Sequence, residues 1–321
     1  MGVAETFDPS VLEPVSCYYC SSSNREPFLT AEEDLTGKPG RFHFVRCVEC
    51  GLAYQHPRIN VEEIKAYYDD EYIAHRKKRD WGALRPVVDY LMDRLDTNKE
   101  RMVRPYLKRF ATNEILDVGC GAGTFLNKMR LVHGTRVTGV DFKDFAGAAG
   151  FEHIEFHCGL FYEQELGEKR FDFVTMWHFL EHDYDPLRTL ERARHVMKED
   201  AHLIVEVPRL DSVTFRLYRD RWPGLQAPQH TALYDKKSLL QLMERGGFDC
   251  IAYLPYGAFP AYFYLFAGAA FKLLKGKGLD LKKWSYVYVL GQLLATPLLL
   301  FEKKLNLAMQ TVVCRKRTAH V

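Results

Sequence analysis

Short apolar runs alternate along this chain with longer stretches in which apolar residues recur every three or four positions. The sharpest block is Glu114 to Leu126, EILDVGCGAGTFL. Ile115, Leu116 and Val118 form an apolar run that enters a turn holding Gly119, Gly121 and Gly123. An apolar-periodic segment, Phe125 to Leu131, leaves it. This predicts a buried parallel strand, a tight glycine turn and a helix. Further strands are predicted at Arg136 to Val140, Ile154 to Cys158, Phe171 to Met176 and His202 to Val207, with the last two at Phe248 to Leu254 and Met309 to Cys314. Between them lie helices at Leu187 to Met197, opened by Asp185-Pro186, and at Lys236 to Arg245, capped by Asp235 and stopped by Gly246-Gly247. Short βα units in this order predict an α/β fold with a seven-stranded, doubly wound sheet.

Two stretches stand outside that rhythm. Asp80 to Phe110 is charged but helical in period, through Leu84, Val87, Val88, Leu91, Met92 and Leu95, then Met102, Val103, Tyr106 and Leu107. One or two amphipathic helices packed on the sheet are expected there. Between the last two strands, Cys250 to Phe271 and Trp284 to Phe301 carry no charge, and a lysine-rich loop, KLLKGKGLDLKK, separates them. Length alone permits membrane spans. Flanking strands of one sheet require the chain to return to the side it left, and a spanning hairpin would place five lysines on the far side. Pro255, Pro260 and Pro297 are expected to interrupt the helices. The expectation is a helical hairpin on a cytosolic membrane surface, with a soluble lid or dimer interface, or a spanning hairpin, as alternatives.

The 321 residues are 47% hydrophobic and 27% charged, which is globular rather than disordered composition. A net charge of +2 supplies no general pull toward nucleic acid, so none is expected as a partner. The first residues, MGVAETFDPS, have neither a basic nor an apolar leader segment, so a cytoplasmic protein is expected, at the inner face of the membrane if the hairpin docks.

Four of the eight cysteines form two C-x2-C pairs, Cys17 with Cys20 and Cys47 with Cys50, with 26 residues between the pairs. Two such knuckles offer four thiolates at tetrahedral spacing, and Gly51 follows the second as a tight knuckle requires. Leu29 to Val45 is expected to form short strands. The reading is a structural Zn2+ in an N-terminal zinc ribbon. With four protein ligands it has no open position and no catalytic role.

The glycine turn carries the central chemistry. Glycine lets a ligand approach the backbone closely. Asp141, at the tip of the following strand, suits the two hydroxyls of a ribose. A dinucleotide turn reads G-x-G-x-x-G, whereas the spacing here is G-x-G-x-G, with Thr124 where the third dinucleotide glycine would stand. Asp117 ahead of the turn suits a cationic ligand better than a pyrophosphate.

DVGCGAG resembles the first motif of the class I methyltransferases that use S-adenosylmethionine. CVECGLAYQHPR, followed by Ile64-Lys-Ala-Tyr-Tyr and Glu71-Tyr72, resembles the entry into a bacterial branch with an N-terminal zinc module. Its best-described members methylate nucleotide-linked deoxysugars at carbon, and relatives occur in cell-surface polysaccharide biosynthesis. The resemblance implies S-adenosyl-L-methionine as cofactor, held by Asp117, Gly119, Cys120, Gly121, Gly123, Asp141, Phe142 and Trp177. It also implies an antiparallel pair for the last two strands, and makes Tyr67, Tyr68 and Tyr72 candidate cleft residues. Cys158-Gly159-Leu160 lacks the carboxylate that many members place there for the adenine amine.

WHFLEH, from Trp177 to His182, resembles the fourth motif and is expected at the carboxyl ends of the strands, where open parallel sheets bind ligands. The Gln229-His230 region resembles the segment in which the sugar methyltransferases carry a Glu-His pair with the His as base. His230 matches the base and Gln229 replaces the Glu. His178 and His182 compete for that role. Arg216, Arg219 and Arg221 are a candidate phosphate-binding cluster, with surface salt bridges as the plainer reading, and the 76–79 run RKKR reads as a solvated face ahead of a phosphate contact.

The expected organisation is a zinc ribbon at 1–60, a helical linker at 61–112, a cofactor-binding core at 113–250, a hydrophobic helical insertion at 251–308 and the last core strand with a tail at 309–321. The expected function is methyl transfer from S-adenosylmethionine to O or C of a small or lipid-linked acceptor: a sugar nucleotide, a polyprenyl-linked glycan or a phenolic lipid. An RNA methyltransferase using the ribbon to hold RNA, and a non-enzymatic zinc and membrane scaffold, are the alternatives.

Overall fold

The structure, a computed structural model, describes residues 9–35, 37–38, 40–68, 85–168, 170–275, 278–279, 281–299 and 301–317. Tyr72 and the RKKR run lie outside the described residues.

The chain opens with β1 (Leu12–Glu13), β2 (Arg25–Glu32), β3 (Arg41–Cys47), β4 (Ala53–Gln55) and β5 (Arg58–Ile59). After α1 (Arg85–Val103) come β6 (Glu114–Val118), α2 (Thr124–His133), β7 (Arg136–Asp141), β8 (Glu155–Cys158) and β9 (Phe171–Trp177). Then follow α3 (Pro186–Val196), β10 (Met197–Pro208), α4 (Val213–Tyr218), β11 (Ala232–Leu233), α5 (Lys236–Arg245) and β12 (Phe248–Leu254). The chain ends with α6 (Ala261–Leu274), α7 (Leu281–Leu299) and β13 (Met309–Lys316).

Seven strands form one sheet in the order β12-β13-β10-β9-β6-β7-β8. Strands β6 to β10 run parallel, and β13 lies antiparallel between β10 and β12. Strand order reverses at β6, which pairs with β7 on one side and β9 on the other. The crevice outside the ends of β6 and β9 is therefore the place where such a sheet binds a ligand.

Alternation along the strands feeds a core on each face. Leu203, Val205 and Val207 of β10 join Leu190 of α3 and Leu239 and Leu242 of α5. Ile204 faces the other way, with Val103 of α1 and Phe125 and Met129 of α2. The α5 cap is a reciprocal box. The Asp235 carboxylate accepts from Ser238 N, and the Ser238 hydroxyl accepts from Asp235 N.

The N-terminal strands build a second sheet, ordered β11-β4-β3-β2. Its fourth strand comes from far along the chain: Ala232 pairs with Tyr54 and Leu233 with Ala53. The ribbon is thus completed by residues next to His230. A third core seals this junction, with Phe42 and Phe44 from the ribbon, Trp222 from the loop after α4, and Tyr264 from α6.

The insertion differs from its expected form in two ways. Cys250 to Phe271 is not one helix but the end of β12, a turn and the start of α6. Pro260 caps α6, whereas Pro297 does not interrupt α7 but sits inside its last turn. Among the described residues no helix is long and apolar enough to cross a membrane.

Candidate active site

The glycine turn leaves β6 with backbone that only glycine adopts freely. Gly119 has φ +75° and Gly121 φ +51°. The amides of Gly119 and Cys120 both donate to Val140 O, which ties the turn to β7. Asp141 braces it from the side: one carboxylate oxygen accepts from Gly121 N at 2.8 Å, the other from Lys143 N at 3.0 Å. Outside Gly121 no atom lies within 4 Å of where a Cβ would project, so the turn has an open rim there. At Gly119 the Phe179 ring packs on the backbone so closely that a Cβ would stand 2.8 Å from it.

The other expected cofactor residues surround this rim at different depths. Phe142 is 39% exposed beside Asp141. The Cys120 side chain is buried and its sulfur packs against Gly139. Trp177 is buried edge-on against Phe125, at 5.5 Å between ring centroids, with its indole N–H unpartnered. Asp117 is buried and accepts from the Thr175 hydroxyl at 2.6 Å. Burial pushes its carboxyl up to about 7, against the pull of the Lys99 ammonium. Lys99 comes from α1 and lies over the Phe125 and Trp177 rings. Its amphipathic helix signals packing but says nothing of an ammonium behind the turn.

The histidines gather beyond the carboxyl end of β9. His178 follows β9 with φ +55°, and its ring is wedged between two carboxylates, Glu181 at 3.3 Å and Glu206 at 3.2 Å. Burial alone would lower its pKa, but the two carboxylates overcome that and hold it at about 9. Glu206 is in turn held by the amides of Ala258 and Phe259, where the chain turns toward α6. His182 and His230 stand ring edge to ring face, 4.4 Å apart. Burial lowers the pKa of His182 and of His230, so both are neutral near pH 7. The His230 Nδ1 lies 2.8 Å from Gly224 O, an acceptor, so Nδ1 carries the proton and Nε2 is left as the basic nitrogen. Ligand atoms of Glu181, His182 and His230 lie within 4.8 Å of one another, close enough to share a proton or a cation.

The ribbon reaches into this cluster. Gln55 Nε2 donates to the carbonyls of Pro228 and His230, and Gln55 N donates to Thr231 O. The Tyr68 hydroxyl lies 2.8 Å from His182 Nδ1, while its ring meets Phe142 edge-on at 4.9 Å. Tyr68 thus spans from the Asp141 side of the crevice to the histidines. Sequence reasoning singled out Tyr68 but not its bond to His182, and it missed Gln55 and Glu206, which sit in unremarkable strand contexts. Arg221 is not available as a phosphate site, because it pairs with Glu32 and Asp34 of the ribbon. Its partners are nearly 190 residues away in the chain, out of reach of any local reading.

The four knuckle cysteines converge. Cys17 and Cys50 sulfurs are 3.4 Å apart, and Cys20 and Cys47 sulfurs 3.5 Å. A tetrahedron with Zn–S of about 2.3 Å has S···S edges of about 3.8 Å, so small shifts would accommodate the ion. Each knuckle closes with a backbone turn: Ser21 N donates to Cys17 O and Gly51 N to Cys47 O.

Fold and crevice define a class I methyltransferase architecture. The family model described as a methyltransferase domain matches residues 75–253, more than half of the chain. The chain belongs to this family. Among curated proteins it is 31% identical over 131 residues to a ubiquinone biosynthesis O-methyltransferase of Alkalilimnicola ehrlichii, covering 38% of this chain and 51% of that one. It is 29% identical over 104 residues to the Glaesserella parasuis protein of the same description, covering 29% and 44%. The chain spans about half the length of these relatives. Among solved structures, the 1,6-didemethyltoxoflavin-N1-methyltransferase of Burkholderia thailandensis aligns at TM-score 0.46 and 15% identity, over 84% of this chain and 98% of that one. Phosphoethanolamine N-methyltransferase 2 of Haemonchus contortus aligns at 0.47 and 16%, over 70% and 53%. At these values neither structure bears on what this chain binds.

Proposed function

We propose that this protein transfers a methyl group from S-adenosylmethionine to a hydroxyl or an activated carbon of a small or lipid-linked acceptor, with His230 as general base. The observation that carries the reading is the pairing of two features across one crevice: an open glycine rim braced by Asp141, and a buried neutral histidine whose Nε2 is its basic nitrogen.

The cofactor would supply an electrophilic methyl, and the protein's task is alignment and proton removal. Asp141 is the candidate for the ribose hydroxyls, and the backbone of Gly119 and Gly121 for the methionine part. Phe142 is the candidate adenine neighbour. Cys120 and Gly123 would contribute through backbone, Asp117 by its charge behind the turn, and Trp177 by packing beneath it. His178 is a poor base, since two carboxylates hold its proton. Its part would be to tie the Glu181 loop to the end of β10. Glu181 lies close to His230, and its charge favours the protonated form of that histidine.

The named curated relatives favour a phenolic acceptor, while the ribbon and the Gln229-His230 segment favour a sugar nucleotide or a polyprenyl-linked glycan. A lipid-linked acceptor would be met at a bilayer, and residues 251–308 are the candidate contact. The test is mass spectrometry of lipid and sugar-nucleotide extracts incubated with the protein and deuteromethyl-labelled cofactor. A labelled product names the acceptor, and no label in any fraction would remove the proposal.

We read residues 1–60 as a zinc ribbon whose function here is to hold the His230 segment through β4 and β11. Denatured protein should release about one zinc ion per chain to a chromogenic chelator, as four thiolates in a closed site require. Replacing Cys47 and Cys50 by serine should lower the melting temperature and turnover together, because the strand that accepts β11 starts just beyond that knuckle. Full metal-free activity would detach the ribbon from catalysis.

A further inference from the structure

We infer that the outer face of α7 is a docking surface for the anionic leaflet of a lipid bilayer. This deepens the membrane contact proposed above and rests on geometry that the sequence did not supply. Val287, Leu290 and Leu294 are exposed at 51%, 61% and 75%, and Phe301, just past the helix, at 57%. Their spacing, continued by exposed Pro297, follows three- and four-residue steps, so they form one stripe along the helix. The opposite face is already used. Tyr288 packs on Tyr262 and Phe266 of α6, and Gly291 lies against the Tyr262 hydroxyl.

Charge at the two ends identifies the occupant. Exposed Lys275 caps the end of α6, Lys282 and Lys283 fall in the first turn of α7, and exposed Lys303 and Lys304 follow it, while the Lys272 ammonium is taken up by Leu217 O. The acid beside them, Glu302, is turned inward and accepts from Ala261 N at the start of α6. The stripe is therefore apolar along its length and cationic at both ends. A 19-residue helix is roughly 28 Å long. Lying flat, it places both lysine clusters at headgroup level with the leucines beneath it, which suits phosphate-bearing lipid. A second copy of this chain fits less well. A twofold antiparallel pairing of the stripe would set one lysine end against the other.

The experiment is vesicle co-sedimentation of the full chain, without cofactor or acceptor, so that it reads docking independently of methyl transfer. One set of vesicles is phosphatidylcholine alone; the other contains roughly one-third phosphatidylglycerol. The protein should sediment with the anionic set at least about tenfold more strongly, and raised salt should weaken this. Leu290→Glu with Leu294→Glu should abolish sedimentation. Lys303→Glu with Lys304→Glu should weaken it on anionic vesicles alone. Each variant's melting temperature, unchanged, shows that the hairpin stays folded. Sedimentation equal on both vesicle sets, or unaffected by either pair, overturns the inference. So does a concentration-dependent dimer that the leucine pair dissolves, since the stripe would then be an interface between copies.

Discussion

Asp141→Ala should weaken S-adenosylmethionine binding by about 100-fold, read by calorimetry. Two backbone donors, Gly121 N and Lys143 N, rest on this carboxylate. Removing it takes away the candidate ribose acceptor and also leaves the turn without its brace. Charged hydrogen bonds contribute roughly 1.5–3 kcal/mol each, and a loss of about 3 kcal/mol corresponds to about two orders of magnitude in affinity. Asp141→Asn keeps one carbonyl acceptor and should fall between the two. An affinity within threefold of wild type for the alanine variant, with its fold intact, would mean that the cofactor does not lie across this strand end.

The second large effect is expected at the base. His230→Ala should lower kcat by about 10²- to 10⁴-fold, the usual range for a lost general base, while cofactor affinity stays near wild type. The split matters because His230 is bound to the ribbon side through Gln55 and not to the glycine turn. Burial lowers its pKa, so the neutral, accepting form persists below the ordinary histidine range near 6.5. The acid limb of the kcat profile should accordingly fall below that value. A limb at or above pH 6.5 that the substitution leaves in place would transfer the role away from His230. His178 cannot inherit it, since at about 9 it holds its proton through the neutral range. His182, neutral and 2.8 Å from the Tyr68 hydroxyl, is the remaining candidate.

Much of the scaffold was legible in residue order. The bounds of β12 and α5 follow from their apolar periods and from the Asp235 and Gly246-Gly247 signals. The β6 turn follows from glycines at fixed offsets, because left-handed backbone admits few other residues. The knuckle cysteines were readable for the same reason: ligand spacing is a local property. Pro297 was misread: α7 runs on through it to Leu299, although its ring gives up one backbone donor near the helix end.

What the chain order could not state is which distant groups share a charge or an edge. Arg221 reads as a salt-bridge partner or a phosphate ligand, with no partner nameable, until Glu32 and Asp34 of the ribbon are brought beside it. His178 and His182 read as competitors of His230 until the fold wedges the first between carboxylates and leaves the other two neutral. The ribbon reads as an appendage until β11 joins its sheet and Gln55 grips the His230 backbone. Local periodicity, glycine turns and ligand spacing depend on neighbours a few bonds apart, so sequence alone determined the elements, the glycine turn and the knuckles. Proton affinity and strand pairing depend on through-space neighbours and desolvation, so tertiary structure alone decided that His178 holds its proton while His182 and His230 are neutral, and that β11 joins the ribbon's sheet.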